Sequence, residues 1–403
     1  MKQYDILQPV THAAKLDLVS GQGAELIDAQ GRHYLDFNEF CIVLGQNNPH
    51  YIQRMTQALC GVTSGKCAYS ADKEKLYRYL METTHQQFKA IHLTASGSET
   101  TEWAVKMALK ITGKTEVLSF WNSIHGRTHL SASMSGMTKR KNHYGPIASG
   151  LAFGAYPNCA HCPYEKSCDS CNFFCLRHLD QKLPYESAND IGAVIVEPYQ
   201  GGGVIVPPKG WLKALQDWAH ARGALFILDE IQSGMGRSGQ MYCYEEEGLE
   251  PDMLLLGKAL GNGMHISALL TKYIPEEKYL HALTGGTGDE NLACTAACCV
   301  FEELLEHGLL EHNAQMGLLL RQKLDQLAEK YDCVCHIRNK GTAAAFEIND
   351  TEKYKRVLSA IKAKGLLVPA SAIGTIMLKP PYSVTAEQIE AMWRILDESL
   401  AEQ

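Results

Sequence analysis

The chain lacks long apolar runs and strong charge of either sign. Only 21% of its 403 residues are charged, and 38 Lys and Arg stand against 45 Asp and Glu for a formal net charge of −7. Mild acidity without a Lys/Arg run leaves no electrostatic footprint for a nucleic-acid backbone or an anionic membrane. No apolar stretch approaches the ~18–20 residues that cross a bilayer, and Met1-Lys2-Gln3-Tyr4-Asp5 lacks the apolar core of a signal peptide. The expectation is a cytoplasmic protein with neither nucleic-acid nor membrane partners. Tandem repeats and low-complexity linkers are also missing, and 45% hydrophobic residues exclude collagen, coiled coil and disorder. Cysteine is the residue in excess, with 14 copies, and in a reducing compartment these are thiols or metal ligands before they are disulfides.

At about 100–200 residues per domain the chain can build one large core and a smaller one. Residues Gly21 to Phe37 alternate apolar and polar around Ala29-Gln30-Gly31-Arg32, which reads as a β-hairpin. Helical spacing follows over Tyr51–Leu59 and Lys73–Thr84. From about residue 88 strand and helix alternate, with strands expected at Ala90–Thr94, Val117–Phe120, Ala193–Val196, Leu225–Leu228 and Met253–Leu256. That alternation predicts an α/β fold with a mostly parallel sheet, helices on both faces, and ligands at the carboxyl ends of the strands. The last hundred residues read as a small α+β unit: helices at Cys294–Leu305, Glu311–Lys330, Thr351–Lys364 and Thr385–Glu402, and strands at Thr342–Ile348 and Thr375–Leu378. The expected division is an N-terminal segment 1–50 joining the small domain, a large domain over 51–310, and a C-terminal small domain over 311–403.

Two segments carry chemistry. The apolar run Leu225–Leu228 ends in Asp229-Glu230, at the place in such a sheet where a ligand sits. Some thirty residues on, Met253-Leu254-Leu255-Leu256-Gly257 delivers Lys258 ahead of the glycine-rich Gly261-Asn262-Gly263. A lysine there either snorkels to the surface or is a buried amine with a depressed pKa, as Schiff-base chemistry requires.

Together with Tyr34-Leu35-Asp36-Phe37, Ser96-Gly97-Ser98-Glu99, His125-Gly126-Arg127-Thr128, Ile195-Val196-Glu197-Pro198, Asp229-Glu230-Ile231-Gln232-Ser233-Gly234 and Gly286-Thr287, these segments resemble the class III pyridoxal-phosphate aminotransferases. That is the family of acetylornithine, ornithine and 4-aminobutyrate aminotransferases, and the resemblance covers nearly the whole chain. It implies fold type I, with a large domain around a seven-stranded sheet and a small α+β domain drawn from both termini. Lys258 would hold pyridoxal 5′-phosphate as the internal aldimine and shuttle the substrate proton, and Asp229 would pair with the pyridine nitrogen. Gln232 would bond the phenolic oxygen, Ile124, His125 and Ile231 would line the ring, and the Gly97 and Ser98 amides would take the phosphate. Thr287 would add a phosphate contact across a homodimer with shared sites. The implied reaction moves an amino group, of terminal or ω type, from a small-molecule amine to a keto acid such as 2-oxoglutarate or pyruvate. A racemase, epimerase or lyase on the same scaffold, or a silent cofactor-binding partner protein, stays open.

The chain departs from the family at the substrate side. Amino-acid-specific members carry an arginine three residues before a Pro-Pro pair, where this chain has Met377 before Lys379-Pro380-Pro381. A thioether cannot replace a bidentate guanidinium, so either the donor lacks that carboxylate or another cation binds it. Lys379, on the same strand face as Met377, and Arg127 are the candidates, with Glu197 placed to pair with a substrate-site cation. Ile124 stands where an aromatic residue usually stacks on the cofactor. Glu39, in Asn38-Glu39-Phe40-Cys41, either attracts a cationic donor or is a solvated rim charge.

Five cysteines crowd into the loop 159–175: Cys159, Cys162, Cys168, Cys171 and Cys175. Two CxxC pairs at metal-ligand spacing make them candidates for zinc or an iron–sulfur cluster, against the alternative of reduced thiols packed in a loop. The other nine read as small core hydrophobes.

Overall fold

The computed structural model describes residues 16–63, 70–274, 288–369, 371, 372 and 374–402. Three N-terminal strands, β1 (Leu18–Gln22), β2 (Glu25–Asp28) and β3 (His33–Asp36), form an antiparallel meander with the expected turn at Ala29–Arg32. The central sheet comprises β4 (Ala90–Thr94), β5 (Glu116–Phe120), β6 (Leu151–Gly154), β7 (Ile191–Val196), β8 (Leu225–Asp229), β9 (Met253–Leu256) and β10 (Ser267–Thr271). Their order is β4-β10-β9-β8-β7-β5-β6. Only β10 runs against the rest among the described strands, because it pairs antiparallel with both β9 and β4. The C-terminal part adds β11 (Val334–Lys340), β12 (Ala343–Ile348), β13 (Leu366–Leu367) and β14 (Thr375–Leu378). Of these, β11, β12 and β14 form a three-stranded sheet, while β13 joins β3 in parallel.

The apolar runs are explained by burial on both faces. Alternate residues Ile195, Leu225, Ile227, Met253 and Leu255 meet Ala104, Val105, Met107 and Ala108 of the helix Gly97–Thr112. Their neighbours Val194, Phe226, Leu228, Leu254 and Leu256 turn the other way, into a cluster that includes Trp211 and Leu215 of the helix Trp211–His220. A strand covered on both sides needs no polar alternation. Ala24 and Phe37 from the N-terminal part share a third cluster with Leu320, Phe346, Val357 and Leu396. No helix among the described residues is long and apolar enough to cross a membrane.

One expectation about cysteine changes. Cys243, Cys294, Cys298 and Cys299 are buried, as core residues should be, but Cys60 is exposed and Cys41, Cys333 and Cys335 are only half-buried. Cys67 lies outside the described residues.

Asp36, at the end of β3, is 8% exposed and accepts the Asn38 amide at 2.9 Å. Burial raises its pKa to about 6. A raised acid stabilises the fold below its unfolded pKa and loses that contribution as pH rises through the folded value. Asp36→Asn is therefore expected to match the parent near pH 4 and to exceed it above pH 6 by on the order of 2 kcal/mol, read by denaturant melts across pH. Equal stability at pH 4 and pH 7.5 would refute this.

Candidate active site

The parallel strands β4, β5, β7, β8 and β9 end at one edge of the sheet, and each delivers a residue that the sequence singles out. Asp229 closes β8 and is 4% exposed. Its Oδ2 lies 2.7 Å from His125 Nδ1, and its Oδ1 accepts the Ile231 amide at 3.1 Å. His125 follows β5 and is anchored by its own amide to Ser135 Oγ at 2.9 Å. Its Nε2 is buried without a partner among the described residues. Such an orphan donor or acceptor is costly unless a ligand completes it.

Lys258 follows β9 in a left-handed conformation, with φ of +43°. Left-handed backbone in a side-chain-bearing residue is a small strain held by its surroundings, and such strain gathers at functional sites. The amine makes no hydrogen bond among the described residues. Burial holds its pKa below the ordinary lysine value, opposed mainly by the Asp229 and Glu197 carboxylates. A larger share of the amine is thereby unprotonated and nucleophilic at neutral pH.

The helix Gly97–Thr112 begins after β4 with Ser96 as its cap, which accepts the Glu99 amide at 3.3 Å. No intrahelical carbonyl can reach the Gly97 and Ser98 amides, so they are free to receive an anion. Ser98 Oγ accepts the Arg127 amide at 3.0 Å and ties this helix start to the His125 loop. A Cβ on Gly97 would meet Ile231 Cδ1 at 2.8 Å, so only glycine allows Ile231 to press this close to the helix start. Ile124 stands near Gly202, whose Cβ would lie 3.4 Å from Ile124 Cδ1.

Glu197, past the end of β7, pairs with no arginine among the described residues. Its oxygens take the amides of Ile124 and Gly201, each at 2.9 Å, and burial raises its pKa. Glu39 likewise uses Oε1 to cap the amides of Cys41 at 2.6 Å and Ile42 at 2.8 Å, so it folds its own loop rather than standing free at a rim. Glu230, the second acid of the β8 motif, turns away to accept the Cys243 and Tyr244 amides at 2.8 and 2.7 Å. Arg127 is exposed, with no side-chain partner among the described residues.

The largest surprise is Lys379. The sequence places it beside the substrate, but it is 1% exposed, and its Nζ donates to Gln232 Oε1 at 2.6 Å and to the Gly201 carbonyl at 2.7 Å. The bridge between Asn38 and Lys379 lays the 38–42 segment alongside it. Met377 sits in an apolar cluster with Tyr199, Val204 and Ala345, its sulfur 3.1 Å from the Gly203 amide. Sequence reasoning misses two neighbours of the site. Cys41 lies near Lys258, and Arg140 lies near Arg127 and Glu197. Cys41 stood inside a recognised motif, whereas nothing around Thr138-Lys139-Arg140 marks the arginine. Thr287 lies outside the described residues.

The cysteine loop does not converge on one point. Cys159 contacts Cys168, with Cys171 and Cys175 nearby. Yet the donor groups close enough to share an ion, among the described residues, are His161 with His336 and Glu347, and His50 with Glu303 and His307. Neither contains a cysteine.

These residues fit pyridoxal phosphate: an unpartnered amine, a buried carboxylate braced by histidine, free helix amides and a glutamine whose Nε2 has no partner among the described residues. The chain belongs to the class III aminotransferases, since the family model "Aminotransferase class-III" matches residues 7–400. Over 386 residues it is 31% identical to the acetylornithine aminotransferase of Methanothermobacter thermautotrophicus, covering 94% of this chain and 92% of that one. It is 30% identical over 401 residues to the acetylornithine aminotransferase of Caldanaerobacter subterraneus, with 96% and 94% covered. The fold is shared with taurine:2-oxoglutarate aminotransferase from Bifidobacterium kashiwanohense, at a TM-score of 0.90 and 24% identity over 98% of this chain and 95% of that one. An amine transaminase from an uncultivated Pseudomonas species, in its PLP-bound form, matches at 0.90 and 24% identity over 100% and 99%. The protein is thus a pyridoxal-phosphate-dependent aminotransferase of fold type I.

Proposed function

We propose that this aminotransferase takes its amino group from a terminal or ω-amine and passes it to a keto acid such as 2-oxoglutarate or pyruvate, as a homodimer with shared sites. The observation that carries the donor class is the end of β14. Met377 replaces the arginine expected for a donor α-carboxylate and is enclosed by apolar neighbours, and the nearest lysine is engaged with Gln232. Of the cations beside Met377 among the described residues, Arg338 is likewise engaged, with Glu347 and the Gly203 carbonyl. Exposed Ile52, Leu59 and Val62, on and just after the helix Pro49–Leu59, support a surface that a second subunit covers.

Pyridoxal phosphate, when bound, supplies the carbonyl that accepts the amino group and the ring that delocalises the resulting carbanion. In this reading Lys258 anchors it and moves the proton at the substrate carbon. Asp229 keeps the ring nitrogen protonated, and His125 fixes the Asp229 carboxylate. Ile124 and Ile231 confine the ring between aliphatic faces, the Gly97 and Ser98 amides bind the phosphate, and Arg127 holds the carboxylate of the keto acid.

A donor panel tests this. Diamines and ω-amines are expected to exceed matched α-amino acids in kcat/KM by about tenfold or more. Arg127→Ala is expected to raise KM for the keto acid by roughly 10- to 100-fold while leaving a carboxylate-free donor unaffected. A clear preference for α-amino acid donors would defeat the proposal.

The proposal extends to the cysteine loop, whose thiols take up zinc or an iron–sulfur cluster. The CxxC spacing and the Cys159–Cys168 contact support this, and binding would draw the sulfurs together. Metal analysis and a visible spectrum of the protein, and of Cys162→Ser, decide it. A metal-free parent refolded with zinc or iron and sulfide overturns it.

A further inference from the structure

Lys379 is a buried lysine for which amino transfer itself gives no reason. Its backbone is held on both sides, its amide donating to the Phe37 carbonyl at 2.8 Å and its carbonyl accepting from Glu39 at 2.8 Å. Its ammonium lies 5.2 Å from the centre of the Phe40 ring. Held this way, Nζ reaches two acceptors, Gln232 Oε1 and the Gly201 carbonyl. Burial holds its pKa well below the lysine value; Lys258 and Arg237 add to that effect and Glu197 opposes it. The bonding survives either protonation state, because even the neutral amine keeps two N–H groups, one for each acceptor.

With its N–H donors directed at two acceptors, Lys379 Nζ meets the oxygen end of the Gln232 amide, and in its ammonium form, which has no lone pair, it can meet no other end. Lys379 therefore decides which way the Gln232 amide points. The NH2 end, which has no partner among the described residues, is left for a ligand. Gly201 preserves the arrangement, since a Cβ there would come within 2.4 Å of Gln232 Oε1. An oxygen that carries negative charge, such as the ionised phenolic oxygen of pyridoxal phosphate, needs that NH2 and would be repelled by the carbonyl.

We propose that Lys379 is a positioning residue for the cofactor: it holds the oxygen of the Gln232 amide so that the NH2 group meets the phenolic oxygen of the ring. The inference rests on the reading that Gln232 contacts that oxygen, and the experiment separates the two. Its readout is the pH midpoint of the bound cofactor's visible absorbance, which a donor to the phenolic oxygen lowers by favouring the ionised form. Gln232→Leu and Lys379→Met are each expected to raise the midpoint by about one unit. The double variant is expected to move no further than Gln232→Leu, because Lys379 acts through Gln232. Gly201→Ala, which crowds Gln232 and leaves Lys379 intact, is expected to shift the midpoint in the same direction, and it carries the test if Lys379→Met does not fold.

If Gln232→Leu leaves the midpoint unmoved, the contact reading fails and the proposal with it. If Gln232→Leu moves the midpoint but Lys379→Met and Gly201→Ala do not, the contact stands and the positioning role falls. Additive shifts in the double variant would also overturn it, since Lys379 would then act as a charge on its own account.

Discussion

Lys258→Ala is expected to reduce amino transfer by more than about three orders of magnitude, because in the proposed site Lys258 is both the covalent anchor and the group that moves the proton. No neighbour can take over. Lys379 lies close enough for the two amines to disfavour each other's charge, but it is 1% exposed and bonded to Gln232 and Gly201. The same variant should fold normally. The Lys258 amine has no hydrogen bond to lose among the described residues, and alanine at φ of +43° bears the same backbone cost as lysine. Removing an amine whose charge burial disfavours is expected to leave the melting temperature unchanged or slightly raised. Two measurements check the pair of claims. Borohydride reduction followed by mass analysis should leave pyridoxal phosphate on the parent and none on the variant, and thermal melts should coincide within a few degrees. A variant that keeps its cofactor after denaturation, or more than a few per cent of its activity, would remove Lys258 from the role.

The strand ends were legible in the sequence for a physical reason. A strand buried on both faces reads as an unbroken apolar run, so the first polar residue after it marks the sheet edge, as Asp229 and Lys258 do after β8 and β9. Neither β10 nor its reversal was anticipated, since the short apolar core of Ser267–Thr271 reads the same in either direction. Nor was β13, whose two residues carry no periodicity and pair only because β3 presents an open edge. The failure at Lys379 is more instructive. Period-two reasoning put it on the strand face of Met377, but it could not see that the 38–42 segment would pair alongside Lys379, or that Gln232 would come within 2.6 Å. The spacing of Cys159, Cys162, Cys168, Cys171 and Cys175 specifies which thiols a turn could gather, not whether it does. In the same loop His161 reaches away to Glu347 at 2.6 Å, on a different sheet.

The second large effect concerns charge rather than covalent attachment. Asp229 is almost closed off from water, and one of its oxygens is held by His125 and the other by the Ile231 amide. A carboxylate held by two groups at a strand end cannot swing away, so in the proposed site its charge would stay aimed at the ring nitrogen. Asp229→Ala should keep the phosphate cradle at Gly97 and Ser98 and still take up cofactor, but lose about 10²- to 10⁴-fold in kcat, because an unprotonated ring is a poor electron sink. A cofactor analogue methylated at the ring nitrogen carries positive charge without needing a proton. In Asp229→Ala the truncated side chain leaves space for that methyl group, and the analogue is expected to recover at least about tenfold of the lost rate. In the parent, where the carboxylate occupies that space, it should give no gain. Equal behaviour of the analogue in both proteins would mean that Asp229 is needed for packing around His125, and the electrostatic assignment would be wrong. His125→Gln offers an internal control: it loosens one of the two holds on Asp229 but keeps the charge, so its loss in kcat should be smaller than that of Asp229→Ala and the analogue should not repair it.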